Sequence, residues 1–461
     1  MNQSILTNIL TPNPPPLIGV PTLATLAFGG SDLSDIADGL LARITENAFD
    51  ANALMDSAIV LLLRGNPQQA RAMQQLAISS QQLYHYPRPA TPAKVRVLAI
   101  FGPGDLMANS PLEFLLENQP VALDLLYVTP ELGLPEVLPA HDVLMVAVGE
   151  SDQNQALLAQ LARELTDWPR PVINHPNRIR QLSRDGVYSQ LSKLSGIVIP
   201  PTLRVSRETL EHGCQVTSAD DALCMTPSVI ASEARQSMNS NCMDCRVAHA
   251  PRNDKTGFIA HLQSQPRNKQ LAMPLPGIHY PVIVRPVDSH AGEGLRKIET
   301  PAELAAYLTD SVEAEFFISN FVDYRSADGR FRKCRIMLID GRAYVSHMAV
   351  SSRWMVHYLN ADMLASAEHR NEEARFMESF ASGFALRHKA ALQAIHQQLG
   401  LEYVGIDCAE TPDGQLLVFE VDSNMVVHNM DPAETFPYKK LWMPKLFSAF
   451  TEMLLRHATA G

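Results

Sequence analysis

Six cysteines in 461 residues, with no regular spacing, exclude a disulfide-built fold and fit free thiols in a reducing compartment. No long run of Lys or Arg offsets the net charge of -11, which argues against a general nucleic-acid surface. Long apolar runs are also scarce. The stretch from Leu17 to Phe28 is short and broken by Pro21, and the first basic residue is Arg43, so neither a membrane span nor a signal peptide is expected. What remains is a chain whose hydrophobic fraction of 46% suits a globular protein. Its length accommodates roughly two to four domains, and a cytoplasmic location is the expectation.

After a proline-rich start (Pro12 to Pro16), apolar residues recur at helical spacing from about Ser31 to Tyr84. Helices are predicted over Asp50 to Leu63 and Pro67 to Tyr84, punctuated by Arg64-Gly65-Asn66 and by Pro67 at a first helical position. This hairpin resembles a single tetratricopeptide unit; a packing appendage and a surface for a protein partner are the two readings it allows. From Lys94 strands alternate with helices: Val95 to Phe101, Leu123 to Val128 and Val143 to Val148, with helical stretches at Leu112 to Glu117 and Gln155 to Leu165. That alternation predicts a small parallel α/β sheet. Phe101-Gly102-Pro103-Gly104-Asp105 lacks the spacing of a dinucleotide loop and reads as a turn on the substrate side.

The densest chemistry lies near the end of the chain. Val404 to Cys408 and Leu416 to Val421 read as strands, and Pro412-Asp413-Gly414 between them signals a hairpin that sets Asp407 beside Glu420. With Asp422, three carboxylates reach neighbouring apolar strands without evident basic partners, a costly arrangement unless a hard cation such as Mg²⁺ or Mn²⁺ joins them. Asn424 offers a further oxygen. Upstream, Arg285 ends an apolar strand just before Ser289-His290-Ala291-Gly292-Glu293-Gly294. Glycines there let backbone N–H groups approach phosphate oxygens, a hydroxyl at Ser289 adds a donor, and Arg285 supplies a clamp. Arg335 alternates with apolar residues on another strand and, facing inward, needs an anion: a phosphate, a substrate carboxylate or a nearby acid.

The order of these segments resembles the ATP-grasp ligases, in particular the glutathione synthase and ribosomal-protein glutamate ligase (RimK-like) branch. Asn174-His175-Pro176, a basic helix and Pro201-Thr202 resemble the passage into that family's central domain. Phe316 to Asp323 resembles its adenine-contacting linker strand, and Arg332 to Gly341 its phosphate-side strand. The likeness covers roughly residues 95 to 440 and implies an α/β and α+β fold: a helical N-terminal region (1–93), a parallel pre-ATP-grasp domain (94–200), a central subdomain (201–325) and a C-terminal subdomain (326–461). It further implies binding of ATP through Arg285, Ser289, Gly292, Gly294, Phe321, Asp323 and Arg184, and metal ligation by Asp407, Glu420 and Asp422. Arg335 and Arg285 would be catalytic. The implied reaction joins a small-molecule carboxylate to an amine (an amino acid or peptide among the candidates) through an acylphosphate. Departures are an Arg at position 285 where the family usually has Lys, Asp422 where Asn is common, and Arg184 beside the position expected for a helix lysine. Phosphorylation of a hydroxyl, or nucleotide-dependent binding without turnover, are the competing readings of the same platform, and a homodimer is left open.

Between Pro201 and Val282 about eighty residues stand where the family needs fewer, and 218–257 reads as an insertion. Its Cys242, Cys245 and His249, with Cys224, lack the regular spacing of a zinc site. His347 and His428 are candidate bases weighed against structural roles, and Trp354 reads as a core anchor.

Overall fold

The computed structural model of the protein describes residues 15–89, 91–215, 275–289 and 292–460. The expected insertion at 218–257 lies outside the described residues, as do His290 and Ala291 of the glycine loop. The chain divides into two compact units. The first takes in 1–203, 288–293 and 322–461, and the second 204–287 and 294–321. Among the described residues no helix is long and apolar enough to cross a membrane.

The first unit begins with helices α1 (Val20–Phe28), α2 (Ser34–Glu46), α3 (Ala51–Leu63) and α4 (Pro67–Ser80). Asp50 caps α3 by accepting from the Ala53 N–H at 3.0 Å, and Arg43 of α2 pairs with the same carboxylate at 2.9 Å. Leu23, Leu33, Leu40, Ala53 and Val60 close a core of their own in this head. The helix predicted to reach Tyr84 stops at Ser80, and Leu83–His85 forms strand β1 instead. Helical periodicity loses there to a sheet edge: β1 pairs antiparallel with the third strand of the layer and buries Tyr84 completely.

A second buried feature of the head carries a pH dependence. Asp56 of α3, with no exposed surface, accepts from the N–H groups of Ile18 at 2.8 Å and Gly19 at 3.0 Å, fastening the segment before α1. Burial pushes its pKa up to about 6, against an ordinary value of 3.8. A raised carboxyl pKa means the folded state holds its proton more tightly than the unfolded chain, so this contribution is full below pH 3.8 and lost as pH rises through 6. Asp56→Asn keeps an acceptor but no titration. Its stability relative to wild type should therefore rise by on the order of 2–3 kcal/mol between pH 4 and pH 7, read by urea denaturation across that range.

β2 (Val95–Phe101), β3 (Val121–Tyr127), β4 (Val143–Val146) and β5 (Val172–Ile173) complete a sheet of order β1-β3-β2-β4-β5, parallel except for the β1 edge. Continuous apolar strands such as Val143 to Val146 suit a sheet covered on both faces. The C-terminal sheet runs β12-β11-β13-β14-β6, built from β6 (Ile197–Val198), β11 (Phe331–Ile339), β12 (Arg342–Ser351), β13 (Tyr403–Glu410) and β14 (Leu416–Asp422). Asn174 joins the layer to this sheet. Buried at a φ of 55°, it donates from Nδ2 to the Tyr403 carbonyl at 2.7 Å and accepts from the Tyr403 N–H at 3.0 Å.

Gly405 on β13 is fixed by packing: a Cβ there would come within 2.9 Å of the Met425 Cβ and 2.6 Å of its Sδ. Gly405→Ala is expected to cost about 1–3 kcal/mol through overpacking, measurable as a lower denaturation midpoint with an unchanged slope.

The second unit carries a sheet of order β7-β10-β8-β9, from β7 (Thr202–Ser206), β8 (Val282–Pro286), β9 (Arg296–Ile298) and β10 (Glu315–Asn320), in which β8 pairs antiparallel with both β10 and β9. Helices Arg207–Gln215 and Pro301–Asp310 belong to it. Arg207 binds the C-terminal end of the latter helix, donating to the carbonyls of Leu308 and Ser311 at 2.6 and 2.7 Å.

Candidate functional site

Strand pairing gathers the charged residues of the C-terminal sheet onto one face. Arg335 on β11 stands opposite Asp407 on β13, Asp407 stands opposite Glu420 on β14, and Gly405 stands opposite Asp422. The expected neighbourhood of Asp407 and Glu420 is therefore present, with a bulge between Asp407 and Cys408 shifting the register before the pairing continues to Glu410 and Leu416. On β12, His347 faces Arg335. Lys333, two residues before Arg335, shares its face because strand side chains alternate.

Asp407 has basic partners, contrary to the expectation that it lacks them. Arg335 grips both its oxygens, Nε to Oδ1 at 2.8 Å and Nη2 to Oδ2 at 3.1 Å, and the Lys333 ammonium lies 2.7 Å from Oδ2. The carboxylate is sealed, with a side chain only 2% exposed, while Lys333 and Arg335 are 23% and 18% exposed. Burial alone would raise the Asp407 pKa; the two cations outweigh it and hold the group well below the ordinary carboxylate range. The sequence signal that could have revealed this was Lys333 at even spacing from Arg335.

Glu420 pairs with Arg184 of the helix Arg184–Leu191, which Ser183 caps. Asp422 differs from both. Burial, and then the charge of Glu420, push its pKa up to about 7. Glu150, just beyond β4, is likewise raised to about 7 by burial, with Asp288, Asp152 and Asp185 adding to the effect despite a hydrogen bond from Gln155. Asn424 is 2% exposed; its amide nitrogen donates to the Met107 carbonyl, and its buried Oδ1 has no hydrogen-bond partner among the described residues. A Cβ at Gly149 would lie 2.1 Å from that amide nitrogen, so glycine is required where the layer meets Asn424.

The metal expectation can be tested on these contacts. Among the described residues no three His, Cys, Asp or Glu side chains converge to hold an ion. Asp407 does not fit the role, because two cations stand on its oxygens. Glu420 and Asp422, two residues apart on one face of β14, with the unsatisfied Asn424 oxygen after them, have the hard-oxygen chemistry that a divalent cation takes.

In the second unit Arg285 lies on β8 opposite Phe317 and is 7% exposed. Gly294 has a φ of 64°, and a Cβ there would meet the Pro286 ring at 2.7 Å. Its carbonyl accepts from the Tyr307 hydroxyl at 2.7 Å. The Phe321 N–H donates to the Pro281 carbonyl at 2.9 Å, and the Lys297 ammonium sits 4.0 Å from the Phe321 ring centre. Ser289 and Gly292 belong to the first unit; Gly292 adopts a φ of 82°, where a side chain is strained. Asp323 makes a local turn, pairing with Arg325 at 2.9 Å and accepting from its N–H at 3.1 Å.

The remaining candidates have structural partners. The His347 ring lies 4.6 Å from that of Tyr358, and burial together with Arg335 and Lys439 holds its pKa well below the ordinary value. His428 accepts from the Met430 N–H at 3.2 Å. The Trp354 carbonyl accepts from the Tyr324 hydroxyl at 2.7 Å, and its half-buried ring packs on the cluster around Tyr324 and Phe436. The turn at Gly104 is bound to the head: its N–H donates to Gln74 Oε1 at 2.8 Å and its carbonyl accepts from Gln74 Nε2 at 2.9 Å.

No protein-family model and no curated protein matches the chain. Solved structures to which it is similar include ATP-grasp proteins. A RimK-domain ATP-grasp protein from Sphaerobacter thermophilus is similar at 14% identity and a TM-score of 0.37, over 79% of this chain and 99% of that one. The D-alanine–D-alanine ligase of Bacillus anthracis is similar at 12% identity and a TM-score of 0.41, over 79% and 99%. VanG D-Ala:D-Ser ligase of Enterococcus faecalis follows at 13% identity and 0.39, over 79% and 100%.

Proposed function

We propose that the chain is an ATP-dependent carboxylate–amine ligase of the ATP-grasp type, acting in the cytoplasm on a small carboxylate and an amine. The observation that carries this reading is the charged sheet face, where Lys333, Arg335, Asp407, Glu420 and Asp422 lie on three adjacent strands in the chain order that the upstream glycine loop and Arg285 anticipate. In this proposal Arg285, Ser289, Gly292 and Gly294 bind phosphate oxygens, Phe321 and Asp323 serve the adenosine, and Arg184 orients Glu420. Arg335 neutralises charge as a carboxylate takes up the transferred phosphoryl group, and again on the oxyanion formed when the amine attacks. A Mg²⁺ or Mn²⁺ ion, where bound, would rest on Glu420 and Asp422 and supply positive charge to the phosphates. No side chain needs to act as a nucleophile.

The test is ADP release from ATP over paired carboxylates and amines, with mass spectrometry of the products. A condensation product lighter than its two substrates by one water supports ligation. A stable phosphoester formed without an amine would replace this reading by a kinase, and ATP binding without ADP under every pairing would replace it by a binding protein.

A further inference from the structure

The helical head takes no part in the proposed chemistry, yet one of its side chains grips the turn that touches the acidic hairpin. That turn, 102–109, follows β2 and ends where Asn109 bridges to Val148. Its two ends are fixed within the α/β layer. Asn109 accepts from the Gly102 N–H at 2.8 Å and donates back to the Gly102 carbonyl at 2.9 Å, and the Ala108 carbonyl accepts from the Gly149 N–H at 2.9 Å. The apex is held from outside the layer. Among the described residues the side chain that grips it is Gln74 of α4, which takes the Gly104 N–H at 2.8 Å and returns a hydrogen bond to the Gly104 carbonyl at 2.9 Å. Gly104 has a φ of 153°, and a Cβ there would stand 2.4 Å from that of Ala108, so the apex is closely folded. Asp105 tightens it further: its Oδ1 accepts from the Met107 N–H at 2.8 Å and its carbonyl from the Ala108 N–H at 3.1 Å. Met107, three residues beyond Gly104, offers the carbonyl to which the Asn424 amide donates.

That carbonyl decides how Asn424 presents itself. A carbonyl oxygen only accepts, so the amide must give Met107 its nitrogen and turn Oδ1 elsewhere. The oxygen is left buried and without a partner among the described residues, on a residue whose backbone N–H meets Asp422 Oδ1 at 3.4 Å. A displaced Met107 would free the amide to rotate, and the oxygen would lose its fixed direction. We infer that Gln74 is a positioning residue for the acidic end of the site. By clamping Gly104 it holds Met107, and Met107 fixes the Asn424 oxygen as a ligand for a divalent cation resting on Glu420 and Asp422. The head is then a working part of the site as well as a packing appendage. This inference rests on the cation of the proposed reading and not on ligation.

The experiment titrates the full chain, without nucleotide, with Mn²⁺ followed by electron paramagnetic resonance. Removing a direct partner of a metal ligand typically costs about 10–100-fold in affinity; Gln74 acts one step further out, so Gln74→Met should weaken Mn²⁺ binding by about three- to ten-fold. Gln75→Met, one residue along α4 and exposed, should leave it unchanged. Amide hydrogen exchange in the 102–109 segment should quicken in Gln74→Met, which reports release of the turn. The deciding measurement is the coupling: in an Asn424→Ala background, Gln74→Met should bring no further loss of Mn²⁺ affinity. Circular dichroism checks the fold of the Asn424 variant, and Asn424→Ser serves where the alanine variant is unfolded. Faster exchange with unchanged Mn²⁺ affinity would make Gln74 a purely structural clamp and overturn the inference. An equal loss in both backgrounds would overturn it too, by sending the effect through another route. Absence of Mn²⁺ binding by the wild-type chain at millimolar concentration would overturn it and also remove the cation from the proposed reading. A chain that shows the coupling but never releases ADP would keep the inference and lose the ligase.

Discussion

Arg335→Met is expected to lower both stability and turnover. The guanidinium is the bidentate partner of Asp407, and removing it leaves, among the described residues, a carboxylate of 2% side-chain exposure with Lys333 as its cation. Breaking one side of a buried pair typically costs about 3–5 kcal/mol; the surviving ammonium puts this case near the lower end, at about 3 kcal/mol. If the proposed reaction holds, the same change removes a charge from the developing oxyanion, and ADP release should fall by about 10²–10³-fold. Arg335→Lys separates the two effects. It keeps a charge but not the fork, so it should recover more stability than turnover. Urea denaturation and an ADP-coupled assay on the same preparations provide both readings, and a variant that kept full turnover would remove Arg335 from the chemistry.

The second large effect is predicted away from the proposed phosphate side. Glu373, with no exposed surface, accepts from the Met348 N–H at 3.0 Å and from the hydroxyls of Tyr358 at 2.9 Å and Tyr438. Lys439, 3% exposed, donates to Tyr358 and Asp431, each at 2.7 Å, and stands 3.8 Å from Glu373. Its ammonium also lies 4.4 Å from the Tyr358 ring centre. Burial pushes the Glu373 pKa up, and Lys439 is the first of the groups opposing that rise. Lys439→Met therefore leaves a buried carboxylate without its cation, at a cost of about 3–5 kcal/mol at neutral pH. The sign of the pH dependence follows. With the cation gone Glu373 protonates more readily, so the deficit should shrink on acidification, and adding Glu373→Gln should restore part of the stability. A deficit that did not change between pH 8 and pH 5 would assign the loss to packing.

Much of this arrangement was legible in the chain. An Asp-Gly turn between two apolar runs fixed which residues face each other on β13 and β14, because hairpin geometry and side-chain alternation leave little freedom. The alternation of strands and helices from Lys94 likewise anticipated the parallel layer. Three things were not legible. The ion pairs of Asp407 depend on β11 lying beside β13, a pairing between segments separated by more than sixty residues of sequence. The strand at Leu83 is stabilised by the edge of β3, not by its own sequence, whose pattern continues the helix before it. Glu373 and Lys439 sit on separate helices far apart in sequence, and no local pattern joins them. In each case the deciding partner is distant in sequence, and local pattern carries no information about it.

The hydrogen bonds from the α/β layer to the C-terminal sheet bear on how the protein can be dissected. Asn174 closes a two-way bond with Tyr403, the Ser110 hydroxyl donates to the Ser423 carbonyl at 2.7 Å, and Asn424 donates to Met107. A fragment starting after the layer would expose these backbone groups at both ends of the acidic hairpin and uncover the apolar core that the layer shares with β13. The layer is thus not a detachable module, and proteolysis of the native protein should not release a folded C-terminal half.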